Sequence, residues 1–433
     1  MTTQQVDPPT PRDRTTCVVV GGGPAGMVLG LLLARAGVRV TVLEKHADFL
    51  RDFRGDTVHP STLGLLDDLG LFERFDALPH SRIRRAQVDA GDGTMVTLVD
   101  LGRLPVRHPY IAMVPQWDLL DLLADAGREE PTFDLRMRHE VTGVVRDGER
   151  IVGVDYASPD GPGRLEADLV VACDGRWSVV RRQLGLPSKD LHVGFDVWWF
   201  RVPTRRDRRE SLLPRIGTGR VVIAIPRGGY TQVAYLGRKG TDAQLRARGI
   251  EAFRAEIAAV APELAEGVGG IASMDDVKHL DVRVDRLRRW HAAGVLCIGD
   301  AAHAMSPVGG VGINLAVQDA VGAARLLAGP LRRAQDAGGL VADAALARLR
   351  RRRIVPTVVT QGMQRAMHAG LIDRVLDGRL TEFPSRAAEV MRRLPALSVV
   401  PALLVGVGPR PERAPAWARR EPTPARAAES PRA

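Results

Sequence analysis

The sequence predicts an α/β protein in which a Rossmann-like nucleotide-binding domain is interleaved with a β-sheet domain and followed by C-terminal helices. Three observations lead there. An apolar, β-branched run at 16–20 meets the glycine turn Gly21–Gly26 and then an apolar helical stretch, the order of a β-α-β unit. Alternating, hairpin-forming segments interrupt that pattern at 85–101 and again over 191–240. Apolar strand-like runs return at 168–172 and 295–298, each followed by an Asp-bearing turn. A length of 433 residues exceeds one ordinary domain. A content of 45% hydrophobic and 26% charged residues excludes a disordered, collagen-like or disulfide-scaffold chain.

The elements follow in order. The run 16–20 is continuously apolar, as in a strand buried on both faces. Residues 25–36 are apolar nearly all round and stop at Gly37, a C-cap signal. A second strand at 38–43 ends on Glu44. Residues 59–71 have helical spacing, 85–101 form a hairpin around Ala90-Gly91-Asp92-Gly93, and 115–128 are helical again. Strands are expected at 135–156, around the turn Asp147-Gly148, and at 168–172. Further strands fall at 193–201, 220–225, 232–236, 277–284 and 295–298, with helix at 243–266. A loop at 299–310 precedes a helix at 312–327 and a long Arg-rich helix at 342–376.

These elements divide the chain into a leader at 1–13 and a discontinuous nucleotide-binding domain at 14–84, 112–190 and 278–340. A sheet domain takes 85–111 and 191–277, and a helical segment 341–408. Six Pro within 409–433 predict an unstructured tail.

The net charge of +10 is carried by Arg, since only four of 61 basic residues are Lys. No aromatic-interleaved basic stripe or nucleic-acid motif accompanies it, so no nucleic-acid partner is expected. Cys17, Cys173 and Cys297 are too few for a disulfide framework. Each lies in or beside an apolar run and reads as a buried thiol in a reducing, cytoplasmic setting. The polar start MTTQQVDPPTPRDR has no signal-peptide core. No apolar stretch of ~18 residues is apparent, so no integral membrane segment is expected. The ten His show no metal-ligand spacing, and neither a G-x-S-x-G elbow nor a Walker phosphate loop is present.

Three motifs carry chemistry. Gly21-Gly22-Gly23-Pro24-Ala25-Gly26 satisfies G-x-G-x-x-G between a strand and a helix, where glycines permit a tight turn and close approach of backbone to a pyrophosphate. Glu44, 21 residues after Gly23, stands where a carboxylate accepts hydrogen bonds from ribose hydroxyls. The second motif is Asp174-Gly175-x-x-Ser178-x-x-Arg181. The third is Gly299-Asp300-Ala301-Ala302-His303, followed by Pro307-x-x-Gly310-x-Gly312-x-Asn314 and Asp319-Ala320. Asp300 suits a polyol hydroxyl, and the glycine turn at 309–312 aims a helix N-terminus at what lies above it. The first motif alone does not separate FAD from NAD.

In this order and spacing the motifs resemble those of the single-component flavoprotein aromatic hydroxylases, the para-hydroxybenzoate hydroxylase-like monooxygenases, over roughly residues 15–330. The resemblance implies that 14–84, 112–190 and 278–340 bind FAD, and that 85–111 and 191–277 enclose substrate. It places Gly21, Gly23, Pro24, Ala25, Gly26, Glu44 and Lys45 at the ADP half of the cofactor. Arg54 and Asp174 fall near the pyrophosphate, and Gln116 near the phosphate–ribityl region. Asp300 falls on the ribityl chain, and Gly310, Gly312, Ile313 and Asn314 under the pyrimidine edge of the flavin. By the same resemblance the carbonyl of Pro307 is expected to line the reaction site, and NADPH or NADH is the implied reductant. The resemblance also implies that O2 adds at flavin C4a and that one of its oxygens passes to a small aromatic or phenolic substrate.

A phenol needs a base, for which His59, Tyr230 and Tyr235 are the candidates in sequence. His303 reads as a hydrogen-bonded histidine packing its loop. Trp198-Trp199 is expected to line the pocket only in part, because strand alternation turns the two to opposite faces. A flavin-dependent halogenase, a prenyl reductase of the same fold and a non-catalytic flavin-containing binding protein stay open. The halogenase would carry Trp-x-Trp-x-Ile-Pro and a catalytic Lys, a spacing that Trp198-Trp199 lacks. The chain is expected as a monomer or homodimer.

Overall fold

The computed structural model describes residues 13–50, 56–90, 93–204, 211–227 and 229–422. Among them, eight strands form the first sheet. Its parallel centre runs Val295–Cys297, Gly161–Ala172, Asp13–Val20, Val40–Glu44, Phe133–Met137. The antiparallel meander Glu140–Asp147 and Arg150–Ser158 extends from Gly161–Ala172. The expected strands of β-branched residues therefore pair, and a layer of helices packs against them. Helix Pro24–Arg35 packs on helices Gln116–Arg128 and Val311–Ala337. Its residues 25–34 are all buried, which explains its lack of a polar stripe.

Register fixes where function concentrates. Val20 pairs with Leu43 and Ala172, and Ala172 with Cys297. The carboxyl ends of four strands thus lie side by side, and the loops bearing the three motifs leave from that edge, the usual place for ligands on parallel sheets.

Among the described residues, seven strands form the second sheet, in the order Lys278–Leu280, Phe195–Pro203, Tyr230–Arg238, Arg220–Pro226, Ser211–Gly217, Arg85–Asp89, Met95–Asp100. The hairpin of 85–101 therefore does join the strands of 191–240. Lys278–Leu280 belongs to this sheet as well, so a boundary at 278 parts this strand from Val197–Trp199, with which it pairs. Thr57–Val58, Ile111–Met113 and Ser81–Ile83 form a small antiparallel sheet of their own.

The C-terminal part differs from expectation in two places. The long helix breaks into Asp343–Met367, a π turn at His368–Ile372, and Asp373–Leu376. The tail is structured through residue 422. Glu412 is buried against Arg352 and Arg325, Ala418 packs in the main core, and Arg35 Nη1 donates to Ala418 O at 3.0 Å. Proline-rich composition disfavours helix and strand, but it leaves an extended segment free to dock where a buried ion network holds it.

Residues 308–337 are long and apolar enough to cross a bilayer, contrary to the expectation of no such stretch. Of their most apolar window 78% is buried inside the fold, as in a core helix. The three cysteines are unpaired, and burial raises the pKa of each thiol.

Candidate active site

The first glycine turn is built by close approach. A Cβ on Gly26 would lie 2.0 Å from Gly21 O, so only glycine lets the helix start tight against the strand end. Helix Pro24–Arg35 begins at Gly23 with no side-chain cap and no acid in its first turn, and open space surrounds Gly23. Pro24 and Ala25 form that first turn. Glu44 is 2% exposed; its Oε2 accepts from Gly22 N at 2.8 Å and its Oε1 from His46 N at 3.1 Å. The acid is thus fixed beside the turn, with exposed Lys45 next to it. Gln116 opens helix Gln116–Arg128. Arg54 lies outside the described residues.

The second and third motifs close on the first. A Cβ on Gly21 would meet Cys173 O at 2.8 Å, and one on Gly299 would meet Ala25 Cβ at 3.4 Å. Asp174 Oδ2 accepts from Val179 N at 2.8 Å and so starts the helix Val179–Gln183, while its Oδ1 is buried without a hydrogen-bond partner among the described residues. Arg181 does not face a ligand, because Asp285 binds its guanidinium through both carboxylate oxygens, at 3.2 and 2.9 Å. The Asp300 side chain keeps 32% of its surface exposed, 3.7 Å from Arg176 Nη2. Desolvation pushes its carboxyl above the usual range, opposed by Arg176 and His303.

The Gly299–His303 loop rests on a buried ionic chain. His303 Nε2 and Asp319 Oδ2 are 2.5 Å apart, Gly299 N donates to the same oxygen at 3.2 Å, and Arg353 Nε donates to Asp319 Oδ1 at 2.9 Å. Burial opposes the charge on Asp319, but His303 and Arg353 outweigh it and hold the carboxyl below its usual value. His303 thus packs its loop as expected. Arg353 was hidden among the neighbouring arginines of its helix, and only its burial to 1% exposure distinguishes it.

The last glycine turn sets the start of helix Val311–Ala337. Gly310 adopts φ of +64°, and a Cβ there would lie 2.8 Å from Thr57 Oγ1. Gly310 O accepts from Thr57 Oγ1 at 2.9 Å. His59, 0% exposed, spans Gly310 O at 3.0 Å and Val405 O at 2.9 Å with its two ring nitrogens. The structure therefore corrects the reading of His59 as a base: both ring nitrogens face backbone carbonyls, and the neutral ring donates its one N–H to one of them. Burial outweighs the two carbonyls and pushes the ring down to about 4. Asn314 is likewise a tether, its Oδ1 accepting from Ser61 Oγ and Thr62 Oγ1, each at 2.7 Å. Gly312 stands on the first helical turn, half-buried Ile313 packs against the main core, and Pro307 opens the turn with its ring partly exposed.

Opposite this turn stands one face of the second sheet. Trp199, Ile223 and Ile225 share one hydrophobic cluster with Met113, Val311 and Met363. Trp198 turns away into the other core, where its Nε1 donates to Asp242 at 2.7 Å. Tyr235 also lies on that far side, its hydroxyl donating to Glu256 Oε1 at 2.7 Å, which removes it as a base. Tyr230 carries the Arg201 guanidinium 5.0 Å above its ring.

Two uncapped helix starts, a buried acid beside a bare glycine turn and a partly exposed Asp300 share one edge. They fit an anionic, polyhydroxylated dinucleotide. A family model described as FAD binding domain matches residues 14–355. Over 349 residues the chain is 36% identical to the 6-methylpretetramide 4-monooxygenase of Streptomyces rimosus, covering 79% of this chain and 82% of the relative. The chain belongs to the single-component FAD-dependent aromatic hydroxylases. This hydroxylase takes FAD as its cofactor and is an FAD-dependent monooxygenase. It is also 31% identical to a 12-dehydrotetracycline 5-monooxygenase/anhydrotetracycline 6-monooxygenase of Streptomyces rimosus over 71% of the chain, but spans only 61% of that longer relative. Among solved structures, the anhydrotetracycline hydroxylase OxyS of Streptomyces rimosus superposes with a TM-score of 0.72 at 26% identity, covering 91% of this chain and 76% of its own. A myxobacterial halogenase, CndH, shares the fold with a TM-score of 0.70 at 21% identity, covering 89% of this chain and 90% of its own.

Proposed function

We propose that this hydroxylase uses NAD(P)H and O2 to oxygenate a planar, polycyclic phenol of the aromatic polyketide type. The observation that carries this reading is the apolar sheet face of Trp199, Ile223 and Ile225, set across from the start of helix Val311–Ala337. That arrangement leaves a flat substrate between a hydrophobic wall and the site of the flavin ring. The named substrates of the tetracycline-pathway relatives, such as 6-methylpretetramide, support the choice of a fused-ring compound.

FAD, when bound, supplies the transfer of electrons from NAD(P)H to O2 and of one oxygen to the ring. The chain's own residues do the rest. Gly21, Gly23, Pro24, Ala25 and Gly26 would offer backbone N–H groups to the pyrophosphate, and Glu44 would hold the ribose, with Lys45 beside it. Gln116 and Asp300 would hold the ribityl region. Asp174 shapes the neighbouring turn through its cap on Val179. Helix Val311–Ala337 would stabilise negative charge on the reduced ring by about 0.3–1 kcal/mol, rising to ~2 kcal/mol where partly buried. Thr57, His59 and Asn314 position that helix start. The apolar wall excludes water, which favours product over futile release of peroxide. The unpaired thiols agree with a cytoplasmic setting.

The test is NADPH and NADH consumption by the purified holoenzyme against a panel of naphthols, anthrones and tetracyclic phenols, with mass analysis. Substrate-dependent consumption and a product heavier by one oxygen are expected. Bound ligand with no stimulated consumption across the panel would favour the binding-protein alternative.

A further inference from the structure

Two short apolar helical segments of the chain meet different surroundings. Pro24–Arg35 is enclosed, with residues 25–34 all buried. Pro395–Gly406 is not. It is a turn, Pro395–Ser398, running into helix Val399–Gly406. Its inner side is covered: Ala402 and Val405 are buried in one cluster with Leu101, Leu104 and Val311, and Trp199 and Ile223 of the substrate wall pack on the same cluster. On its outer side Leu397, Val400 and Leu403 are exposed. Val390, in helix Ser385–Arg393, and Leu394, just after it, continue the row at spacings of three or four residues. All five are between 42% and 59% exposed among the described residues. Helix Asp343–Met367 adds to them. Met363 packs on the same cluster, and Val359 and Met367, one turn before and after it, are exposed, as are Val355 and Val358. A helix apolar on every side is normally enclosed, and an apolar surface of this extent marks a contact.

Charge says what makes that contact. Between Ser385 and Gly408 stand Arg386, Arg392 and Arg393, all exposed, against the single acid Glu389, which pairs with Arg392 and Arg393. Exposed Arg351 and Arg365 stand on the neighbouring helix. A second copy docked through this face would bring these arginines toward their own equivalents, as an isologous contact does. An anionic lipid surface meets them with the opposite charge. The sequence has little of its own to lay over the row: outside the described residues, the large apolar side chains are Met1, Val6 and Phe53. Pro395–Gly406 is also shorter than the ~20 residues that cross a bilayer, so it suits the plane of the surface.

We propose that the helices at 385–406 dock this hydroxylase on an anionic lipid bilayer, with Val390, Leu394, Leu397, Val400 and Leu403 immersed at the boundary of headgroups and acyl chains and Arg386, Arg392 and Arg393 reaching lipid phosphates. Arginine suits that place, because its stem lies along apolar surface while its guanidinium binds phosphate oxygens. The inference goes beyond the oxygenase reading, and the docking does not depend on it. Helix Val399–Gly406 then has lipid on its outer side and, on its inner side, the cluster shared with Trp199 and Ile223. A planar apolar phenol favours hydrocarbon over water. Docking therefore sets the substrate wall next to the phase in which such a compound concentrates.

The test is flotation of the full chain, loaded with FAD, on vesicles of phosphatidylcholine alone or with about one third phosphatidylglycerol. Partition onto the anionic vesicles should be stronger by about tenfold or more and should weaken as salt is raised. Leu394→Ser/Leu397→Ser/Val400→Ser should cut that partition by about tenfold or more at unchanged FAD content. Arg386→Gln/Arg392→Gln/Arg393→Gln should remove the preference for anionic vesicles, and it carries the test if the serine variant fails to hold FAD. Leu403→Cys bearing an environment-sensitive dye should shift its emission to the blue on anionic vesicles. Absent partition, equal partition on both vesicle types, or an unshifted dye overturns the proposal. So does a dimer in solution that the serine variant dissolves, which would give the face to a second copy. Substrate-dependent NAD(P)H consumption without vesicles tests the oxygenase reading separately, so the two can fail independently.

Discussion

Replacing Asp319 by Ala removes the centre of the buried chain that holds the Gly299–His303 loop. Asp319 is 0% exposed, and Arg353, its partner at 2.9 Å, is 1% exposed. The variant leaves Arg353 with Arg410 O at 3.2 Å and Glu412 at 4.0 Å as its remaining partners. Breaking one side of a buried pair costs about 3–5 kcal/mol, since the other charge stays desolvated. At about 2 °C per kcal/mol for a large domain, melting should fall by about 6–10 °C. The assay is thermal unfolding at fixed scan rate and saturating FAD, with flavin absorbance as a second readout, because Gly299 and Asp300 lose their support. Adding Arg353→Met should recover more than half of the loss, as removal of both charges leaves none unpaired. A shift under 2 °C, or a double variant no better than the single, would refute the argument. The acid limit follows the same carboxylate. Its pKa is held below the unfolded value, so its contribution is complete above about pH 4 and lost as pH falls through the folded value.

Other outcomes follow from the same geometry. Gly26→Ala forces a Cβ to 2.0 Å from Gly21 O and should abolish FAD retention, read as loss of the 450 nm band in purified protein. Asp300→Ala should weaken FAD binding at least tenfold by fluorescence titration while leaving secondary structure by circular dichroism unchanged; full FAD content would show that Asp300 does not hold the ribityl chain. His59 sits down at about 4 when folded, so the unfolded chain takes up a proton that the native one refuses. Native stability should therefore fall as pH drops from about 6.5 to 4, by up to about 3 kcal/mol, and His59→Gln should flatten that slope in urea titrations.

Much of this architecture is legible in the sequence. The run before Gly21, the spacing to Glu44 and the Asp-bearing turns after two later strands imply parallel strands with loops at one edge, because such runs have only a doubly covered sheet to enter. The motif residues meet there as expected. Side-chain roles were less legible. His59 and Tyr235 looked like bases in sequence, yet one spans two carbonyls and the other donates to Glu256 on the far side of the sheet. The tail looked unstructured by its prolines, yet Glu412 docks it among arginines from two helices.

Local pattern determined the nucleotide-binding unit, since glycine turns and strand periodicity are properties of neighbouring residues. Tertiary structure alone decided which charges pair. Asp319 with Arg353, and Asp56 with Arg227, are separated by 34 and 171 residues. Their meaning comes from burial together, where a lone charge is prohibitively costly and a matched one becomes a fixed point for the chain around it.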